Sequence, residues 1–147
     1  AVLRAMRRLL LALTGVVALI GAVPGSGQEK GLVTTLTLFA GTSEGLWRST
    51  DWAASWHRVL GRTSGVRLDG LGAARAIVPI ASQVWLGGDG GLYVSEDFGE
   101  TWASVSLTRG IRGLLLSRWP LADPTVFAGT AEGLLRSRDG GRTFVPA

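Results

Sequence analysis

An eight-residue motif that occurs three times is the feature that most constrains this sequence. The motif reads Ser-x-Asp-x-Gly/Ala-x-Ser/Thr-aromatic, and its copies occupy residues 49–56, 95–102 and 137–144. The copies start 46 and 42 residues apart, and each follows a Gly-rich lead-in such as the one over residues 39–47. A fixed period above about 40 residues, filled with short strands, predicts repeated β units stacked side by side, as in a propeller or a solenoid.

Short strand signals separated by glycines fill the chain from residue 31 onward, which predicts an all-β fold. Four strands are predicted for the second unit, over residues 76–80, 83–86, 91–95 and 101–105. Four more are predicted for the third unit, over residues 111–117, 125–128, 133–137 and 143–145. The first unit shows strands over residues 32–40, 46–48 and 55–59, so it is expected to lack its innermost strand.

Residues 1–27 have the pattern of a targeting segment. Arg4, Arg7 and Arg8 precede an uncharged, mostly apolar run over residues 9–23, and Pro24 then disfavours further helix. The 15-residue run is shorter than the roughly 20 residues of a membrane span, which favours the apolar helix of a signal peptide. An uncleaved anchor and a buried helix stay open as alternatives. We therefore divide the chain into a signal peptide or anchor over 1–27 and a repeat domain over 28–147.

Charge and cysteine content exclude several classes of function. Without the three N-terminal arginines, the formal charge falls from +4 to +1, which argues against a nucleic-acid partner. The chain has no cysteine, so it has no disulfide, thiolate zinc site or thiol nucleophile. Carbohydrate stacking is an option for three of the six tryptophans, Trp52, Trp85 and Trp119, because the repeat pattern does not account for them.

The motif residues have a structural explanation that needs no ligand. The Asp97 carboxylate is expected to accept backbone N–H groups across a tight turn, Gly99 to adopt a positive φ, and Ser95 and Thr101 to bond locally. Trp102 is expected to fold back under the turn as an apolar plug. The corresponding residues are Ser49, Asp51, Ser55 and Trp56 in the first copy and Ser137, Asp139, Gly141, Thr143 and Phe144 in the third.

The three motifs and their lead-ins resemble the Asp-box, or bacterial neuraminidase repeat (BNR). The resemblance covers roughly residues 34–147 and implies a β-propeller of four-stranded antiparallel blades, with each box between the third and fourth strands. About three blades are present, whereas propellers close with about four to eight. Further blades or self-association are therefore expected to complete the ring. Two copies depart from the pattern: Ala53 replaces glycine, which predicts a strained turn, and Phe144 replaces tryptophan.

The same resemblance implies that the boxes are architectural and lie on the outer rim. We expect no catalytic, cofactor-binding or metal-binding residue among them, since no EF-hand-like series of oxygen ligands surrounds the carboxylates. The Arg-Ile-Pro motif of sialidases is absent, and the single tyrosine, Tyr93, lies in a lead-in strand. Glu44, Asp89 and Glu132 occupy equivalent turns, so they do not form a unique catalytic pair.

Two functions from different classes follow from this resemblance. The favoured one is an exported, periplasmic or extracellular, non-catalytic scaffold similar to the photosystem II assembly and stability factors. It would bind a protein, or alternatively a carbohydrate, and contact the membrane only through its N-terminal segment. Its candidate surface arginines are Arg48, Arg136 and Arg138. The alternative is a fragment of a secreted sialidase-like or other glycoside hydrolase with catalytic residues outside this chain. A sortilin-like receptor ranks third.

Overall fold

The computed structural model describes residues 17–24, 34–59, 68–80, 82–105, 107, 110–117 and 122–147. These residues form three four-stranded antiparallel sheets and one 3₁₀ turn, Leu68–Leu71, with no α-helix. The all-β prediction is therefore confirmed. Within these ranges, no helix has the length and hydrophobicity needed to cross a bilayer.

Strand order within each sheet follows the order of the chain. Sheet 1 consists of β1 (Val17–Pro24), β2 (Thr34–Thr42), β3 (Gly45–Ser49) and β4 (His57–Arg58). Sheet 2 consists of β5 (Ala74–Ile80), β6 (Gln83–Gly88), β7 (Gly91–Ser95) and β8 (Ala103–Ser104). Sheet 3 consists of β9 (Ile111–Leu116), β10 (Val126–Thr130), β11 (Gly133–Ser137) and β12 (Val145–Pro146). The second and third strands of each sheet are joined by two-residue turns, and the third strand then begins with a glycine at positive φ: Gly45, Gly91 or Gly133.

The first sheet corrects two expectations. Strand β1 pairs antiparallel with β2, with Val17 opposite Ala40 and Pro24 opposite Thr34, so the first unit does have an innermost strand. The described part of the expected signal helix is therefore a strand, while residues 1–16 and 25–27 lie outside the described residues. A short apolar run containing valine and isoleucine does not distinguish helix from strand by periodicity. Here β1 pairs with the inner edge of β2 and satisfies its backbone groups.

Two hydrophobic cores hold the sheets together, one in each junction. The core between sheets 1 and 2 includes Phe39, Leu46, Leu71, Ile77 and Leu86. The core between sheets 2 and 3 includes Trp85, Leu92, Ile111, Val126 and Ala128. Full burial of one such side chain contributes about 1.5–3 kcal/mol, so these junctions are the main source of stability between the sheets.

Glycines at one position of the second strand allow the next sheet to approach closely. A Cβ on Gly41 would lie 2.9 Å from the Ala74 carbonyl oxygen of sheet 2. A Cβ on Gly87 would lie 2.5 Å from Cγ2 of Ile111 in sheet 3. Only a residue without a side chain fits such gaps. The innermost strands β1, β5 and β9 therefore contact one another in sequence.

Candidate functional site

A shared hydrogen-bond network closes each of the three octapeptide turns, by which we mean residues 49–56, 95–102 and 137–144. In the second turn, Asp97 Oδ1 accepts bonds from Ser95 Oγ at 2.8 Å, the Thr101 amide at 2.8 Å and the Glu100 amide at 3.1 Å. Its Oδ2 accepts a bond from Thr101 Oγ1 at 2.5 Å. Ser95 Oγ in turn accepts the Gly99 amide at 2.8 Å, while the Phe98 amide donates to the Ser82 carbonyl oxygen at 2.9 Å.

The other two turns repeat this geometry. Asp51 accepts Ser49 Oγ at 2.8 Å, the Ser55 amide at 2.9 Å and Ser55 Oγ at 2.5 Å. Asp139 accepts Ser137 Oγ at 2.7 Å, the Thr143 amide at 2.9 Å and Thr143 Oγ1 at 2.6 Å. The first serine of each turn, Ser49, Ser95 or Ser137, is almost completely buried.

Hydrogen bonds to the ionised form keep all three carboxylates charged. The Ser55 hydroxyl, the Ser55 amide and the Ser49 hydroxyl lower the pKa of Asp51 to about 2. The Thr143 hydroxyl and then the Ser137 hydroxyl lower the pKa of Asp139. Desolvation raises the pKa of Asp97, but the bonds from its own turn outweigh this effect and the net shift is downward. These carboxylates therefore act as hydrogen-bond acceptors within their own turns.

The first turn has nearly the same backbone as the second, but it has alanine at its fifth position and is more exposed. Trp52 and Ala53 have φ values of 59° and 66°, in the region that favours glycine, so the predicted strain is present. Phe98 and Gly99 occupy the same positions in the second turn, with φ values of 57° and 84°. Trp52 is 68% exposed.

Two arginines occupy equivalent bulges at the start of innermost strands. In β5 the register shifts between Ala74 and Ala76, which leaves Arg75 as the extra residue. In sheet 3, Gly113 pairs with Gly129 and Ile111 with Thr130, so Arg112 is the extra residue of β9. Both arginines are exposed. A bulge redirects the side chain of the extra residue, and bulges often adjoin functional sites.

Asp89 forms an ion pair with the first bulged arginine, and the charge of the second also acts on it. Arg75 Nε lies 2.6 Å from Asp89 Oδ1 and its Nη2 lies 3.3 Å from Oδ2, while the Ala73 amide donates to Oδ2 at 3.3 Å. The hydrogen bond from Arg75 is the largest cause that lowers the pKa of Asp89, and the charge of Arg112 contributes further. The same hydrogen bond raises the pKa of Arg75. We call Arg75, Asp89 and Arg112 the arginine edge, and its net charge is positive.

The arginines expected from the sequence are placed differently. Arg48 forms a 2.6 Å ion pair with Glu100 of the second octapeptide turn and its side chain is only 20% exposed, so it offers little free surface to a partner. Arg136 is half-buried and Arg138 is exposed. Sequence reasoning missed Arg75 and Arg112. The sequence carries one signal for them, an arginine near the start of an apolar strand in two of the units. That the two positions are equivalent becomes clear only when the strand pairing is known.

Other candidate residues take structural positions. Tyr93 is 7% exposed, and desolvation raises the pKa of its hydroxyl. Trp85 is 5% exposed and packs between sheets, which contradicts its selection for carbohydrate stacking, while Trp119 lies outside the described residues. His57 is exposed on β4. Within the described ranges, no group of three or more His, Cys, Asp and Glu side chains could hold a metal ion.

Comparison with solved structures shows the fold of the chain. It is similar to an ancestral GH74 enzyme, with 18% identity over 90% of this chain and a TM-score of 0.61. It is also similar to the extracellular domain of a protein described as the one-component system BT4673 of B. thetaiotaomicron, with 18% identity over 80% of this chain and a TM-score of 0.56. The chain spans 18% and 15% of those two proteins, respectively. No protein-family model and no curated protein sequence matches it.

Proposed function

We propose that this chain is an exported, non-catalytic scaffold whose three sheets are blades of a β-propeller built by Asp-boxes. One observation carries the proposal: each octapeptide carboxylate accepts three or four hydrogen bonds from its own turn. A carboxylate with its lone pairs engaged in this way stabilises a turn and has little capacity left for a ligand. The repeated polar residues therefore account for the architecture, and recognition falls to residues that differ from the box.

The arginine edge is the surface that we propose for recognition. Arg75 and Arg112 are exposed on neighbouring innermost strands, and Asp89 pairs with Arg75 while the charge of Arg112 also lowers the pKa of Asp89. Guanidinium groups bind carboxylates through paired, directional hydrogen bonds, so the edge suits an acidic segment of a protein partner. Electrostatic complementarity of this kind steers association and fixes its register.

Export is the part of the proposal that the N-terminal segment supports. A basic flank and an apolar run over residues 9–23 suit a signal segment, and one similar structure is described as an extracellular domain. Strand β1 uses residues of the same run. Signal cleavage near residue 27 would remove β1 and leave the inner edge of β2 unpaired. The N-terminal sequence of the mature protein, purified from the periplasm or medium of an expressing cell, distinguishes a cleaved segment from a retained one.

Binding of a labelled acidic peptide, a Glu-rich 20-mer, tests the proposed recognition surface. The double variant Arg75→Ala/Arg112→Ala should weaken binding about tenfold, the loss of roughly one charge-assisted contact. The control Arg138→Ala/Arg142→Ala removes the same charge from exposed residues of the third octapeptide turn and should change affinity little. Equal losses in both double variants would show that binding depends on net charge alone and would overturn the assignment of the arginine edge.

The alternative is a glycoside hydrolase, and it draws on the similarity of fold to a GH74 enzyme. The catalytic residues of that alternative lie outside this chain, so the assay uses the protein encoded by the complete reading frame that contains the chain, with xyloglucan and sialoside substrates. The scaffold proposal expects no release of reducing sugar above the buffer rate. Turnover by that protein, lost when a carboxylate pair outside residues 1–147 is replaced by amides, would replace the scaffold with an enzyme.

A further inference from the structure

The side of sheet 3 that faces away from sheet 2 has the same pattern of residues as two covered faces, the one between sheets 1 and 2 and the one between sheets 2 and 3. We call it the open face, and it carries Phe127, Gly129, Leu134 and Arg136, since directly paired residues and residues two apart on a strand share a side. The equivalent residues of sheet 1, which face sheet 2, are Phe39, Gly41, Leu46 and Arg48. Those of sheet 2, which face sheet 3, are Trp85, Gly87, Leu92 and Val94.

Exposure separates the open face from its two covered counterparts. Leu46 and Leu92 are each 1% exposed, whereas Leu134 is 51% exposed. A Cβ on Gly129 would have only backbone atoms of Gly113, in its own sheet, within 4 Å. An apolar patch with a partly buried arginine at its margin is typical of an interaction surface.

The two internal junctions show what such a face requires of its neighbour. Phe39 packs directly over Gly99 of the next octapeptide turn, where a Cβ would lie 2.4 Å from its Cζ. Trp85 packs over Gly141 in the same way, where a Cβ would lie 2.6 Å from its ring. The aromatic residue of each second strand therefore requires a glycine at the fifth position of the neighbouring turn.

The sixth position of the neighbouring turn adds charge complementarity at the first of the two junctions. Arg48, directly opposite Phe39, pairs with Glu100, which follows Gly99. In sheet 2 the residue opposite Trp85 is the neutral Val94, and the neighbouring turn carries Arg142. Sheet 3 has arginine again, Arg136, opposite Phe127. The open face therefore matches a turn with glycine at the fifth position and a carboxylate at the sixth.

A second copy of this chain does not offer that turn. The octapeptide turn that no described sheet covers is the first one, and it carries Ala53 and Ala54 at these positions. At the open face the methyl group of Ala53 would clash with Phe127, because Phe39 and Trp85 each contact a glycine at that position of the turn. Ala54 supplies no charge for Arg136. Specificity of this kind combines a steric clash with a missing charge partner.

We propose that the open face binds a further four-stranded sheet whose octapeptide turn carries glycine followed by an acidic residue, and that it excludes the first sheet of another copy. The inference does not depend on the arginine edge, because it concerns a different side of the molecule. The occupant places its glycine under Phe127 and its carboxylate beside Arg136, as Gly99 and Glu100 do beneath sheet 1.

An extended chain tests the positive part of the proposal. A copy of residues 74–105, which contains Gly99 and Glu100, is joined behind residue 147 through a copy of residues 106–110. We expect hydrogen exchange in Val126–Thr130 and Gly133–Ser137 to slow by about tenfold. The matched control carries Gly99→Ala and Glu100→Arg in the added copy only and should lose most of this protection. Protected amides in the added sheet without protection of the open face would overturn the proposal.

A second experiment tests which turn residues the open face binds, and it does not depend on the folding of an added sheet. Ala53→Gly/Ala54→Glu gives the first turn the two residues that the open face requires, and light scattering should then detect self-association that wild type lacks. Adding Phe127→Ala/Arg136→Ala to that variant should restore the wild-type mass. Wild-type oligomers that dissociate on Phe127→Ala/Arg136→Ala would overturn the exclusion of a second copy. A monomeric Ala53→Gly/Ala54→Glu variant would overturn the assignment of glycine and an acidic residue as the turn residues that the open face binds.

Discussion

The second octapeptide turn is covered by a neighbouring sheet, whereas the first is open, and both keep the same carboxylate network. Phe39 covers the second turn over Gly99, and Trp102 Nε1 donates to the Gly99 carbonyl oxygen at 3.2 Å. In the first turn Ala53 stands in place of that glycine, and Trp56 Nε1 is buried without a hydrogen-bond partner among the described residues. The hydrogen bonds of the carboxylate therefore suffice to close a turn with alanine at positive φ. Glycine is needed at the fifth position only where an aromatic residue of the neighbouring sheet packs against it.

Substitution of the glycine in the covered turn should have the largest effect. Gly99→Ala places a methyl group 2.4 Å from Phe39 Cζ at a φ of +84°. Overpacking and the positive φ together predict a loss of about 2–4 kcal/mol in the free energy of unfolding. Ala53→Gly should instead change it by less than about 1 kcal/mol, because no described sheet covers that turn. Urea unfolding of both variants measures the difference.

A repacking variant separates the two causes of the loss at Gly99. Phe39→Leu shortens the side chain that the new methyl group would meet. In the background of Phe39→Leu, the substitution Gly99→Ala should cost only the backbone term of about 1 kcal/mol. If Gly99→Ala reduced the free energy of unfolding equally in wild type and in Phe39→Leu, the positive φ alone would explain the glycine. Contact with Phe39 would then not explain why the covered turn has glycine and the open turn alanine.

The carboxylates should give the next largest effect. Asp97→Asn replaces one oxygen with an amide, which cannot accept the hydroxyl proton of Thr101 now bonded at 2.5 Å. We expect a loss of about 2 kcal/mol in the free energy of unfolding, the range for hydrogen bonds to a charged group. Asp51→Asn should destabilise less, because the turn around Asp51 is more exposed. A larger loss at Asp51 than at Asp97, measured by urea unfolding, would contradict this order.

Acid should weaken the turns in a defined pH range. The pKa of Asp51 is lowered from 3.8 to about 2, and the pKa values of Asp97 and Asp139 are also lowered. Between the unfolded and folded pKa values the unfolded chain binds more protons, so stability rises with pH there. The contribution of Asp51 is complete above pH 3.8 and is lost as pH falls through about 2. A urea midpoint measured from pH 6 down to about pH 2 should decline mainly below pH 4, and less steeply in Asp51→Asn.

Features that depend on local sequence could be predicted, and those that depend on contacts between units could not. The strand predicted over 133–137 matches Gly133–Ser137, because a Gly-containing turn and the octapeptide motif fix both of its ends. Strand β1 was missed, since its apolar run has no alternation and its pairing partner alone determines its conformation. The bulge of Arg75 and the ion pair of Arg48 with Glu100 arise from register and from packing between sheets, which carry no local signature.

The smallest expected effect belongs to the ion pair that bridges sheets 1 and 2. Glu100 is 63% exposed at its side chain, so Glu100→Gln should reduce the free energy of unfolding by no more than about 1 kcal/mol, and by less at high salt. Arg136→Gln, at the equivalent position of the open face, should leave stability unchanged because no acidic partner of Arg136 is present among the described residues. A loss from Arg136→Gln equal to that from Glu100→Gln would show that this arginine stabilises its own sheet. The ion pair between Arg48 and Glu100 would then no longer distinguish the covered face of sheet 1 from the open face of sheet 3.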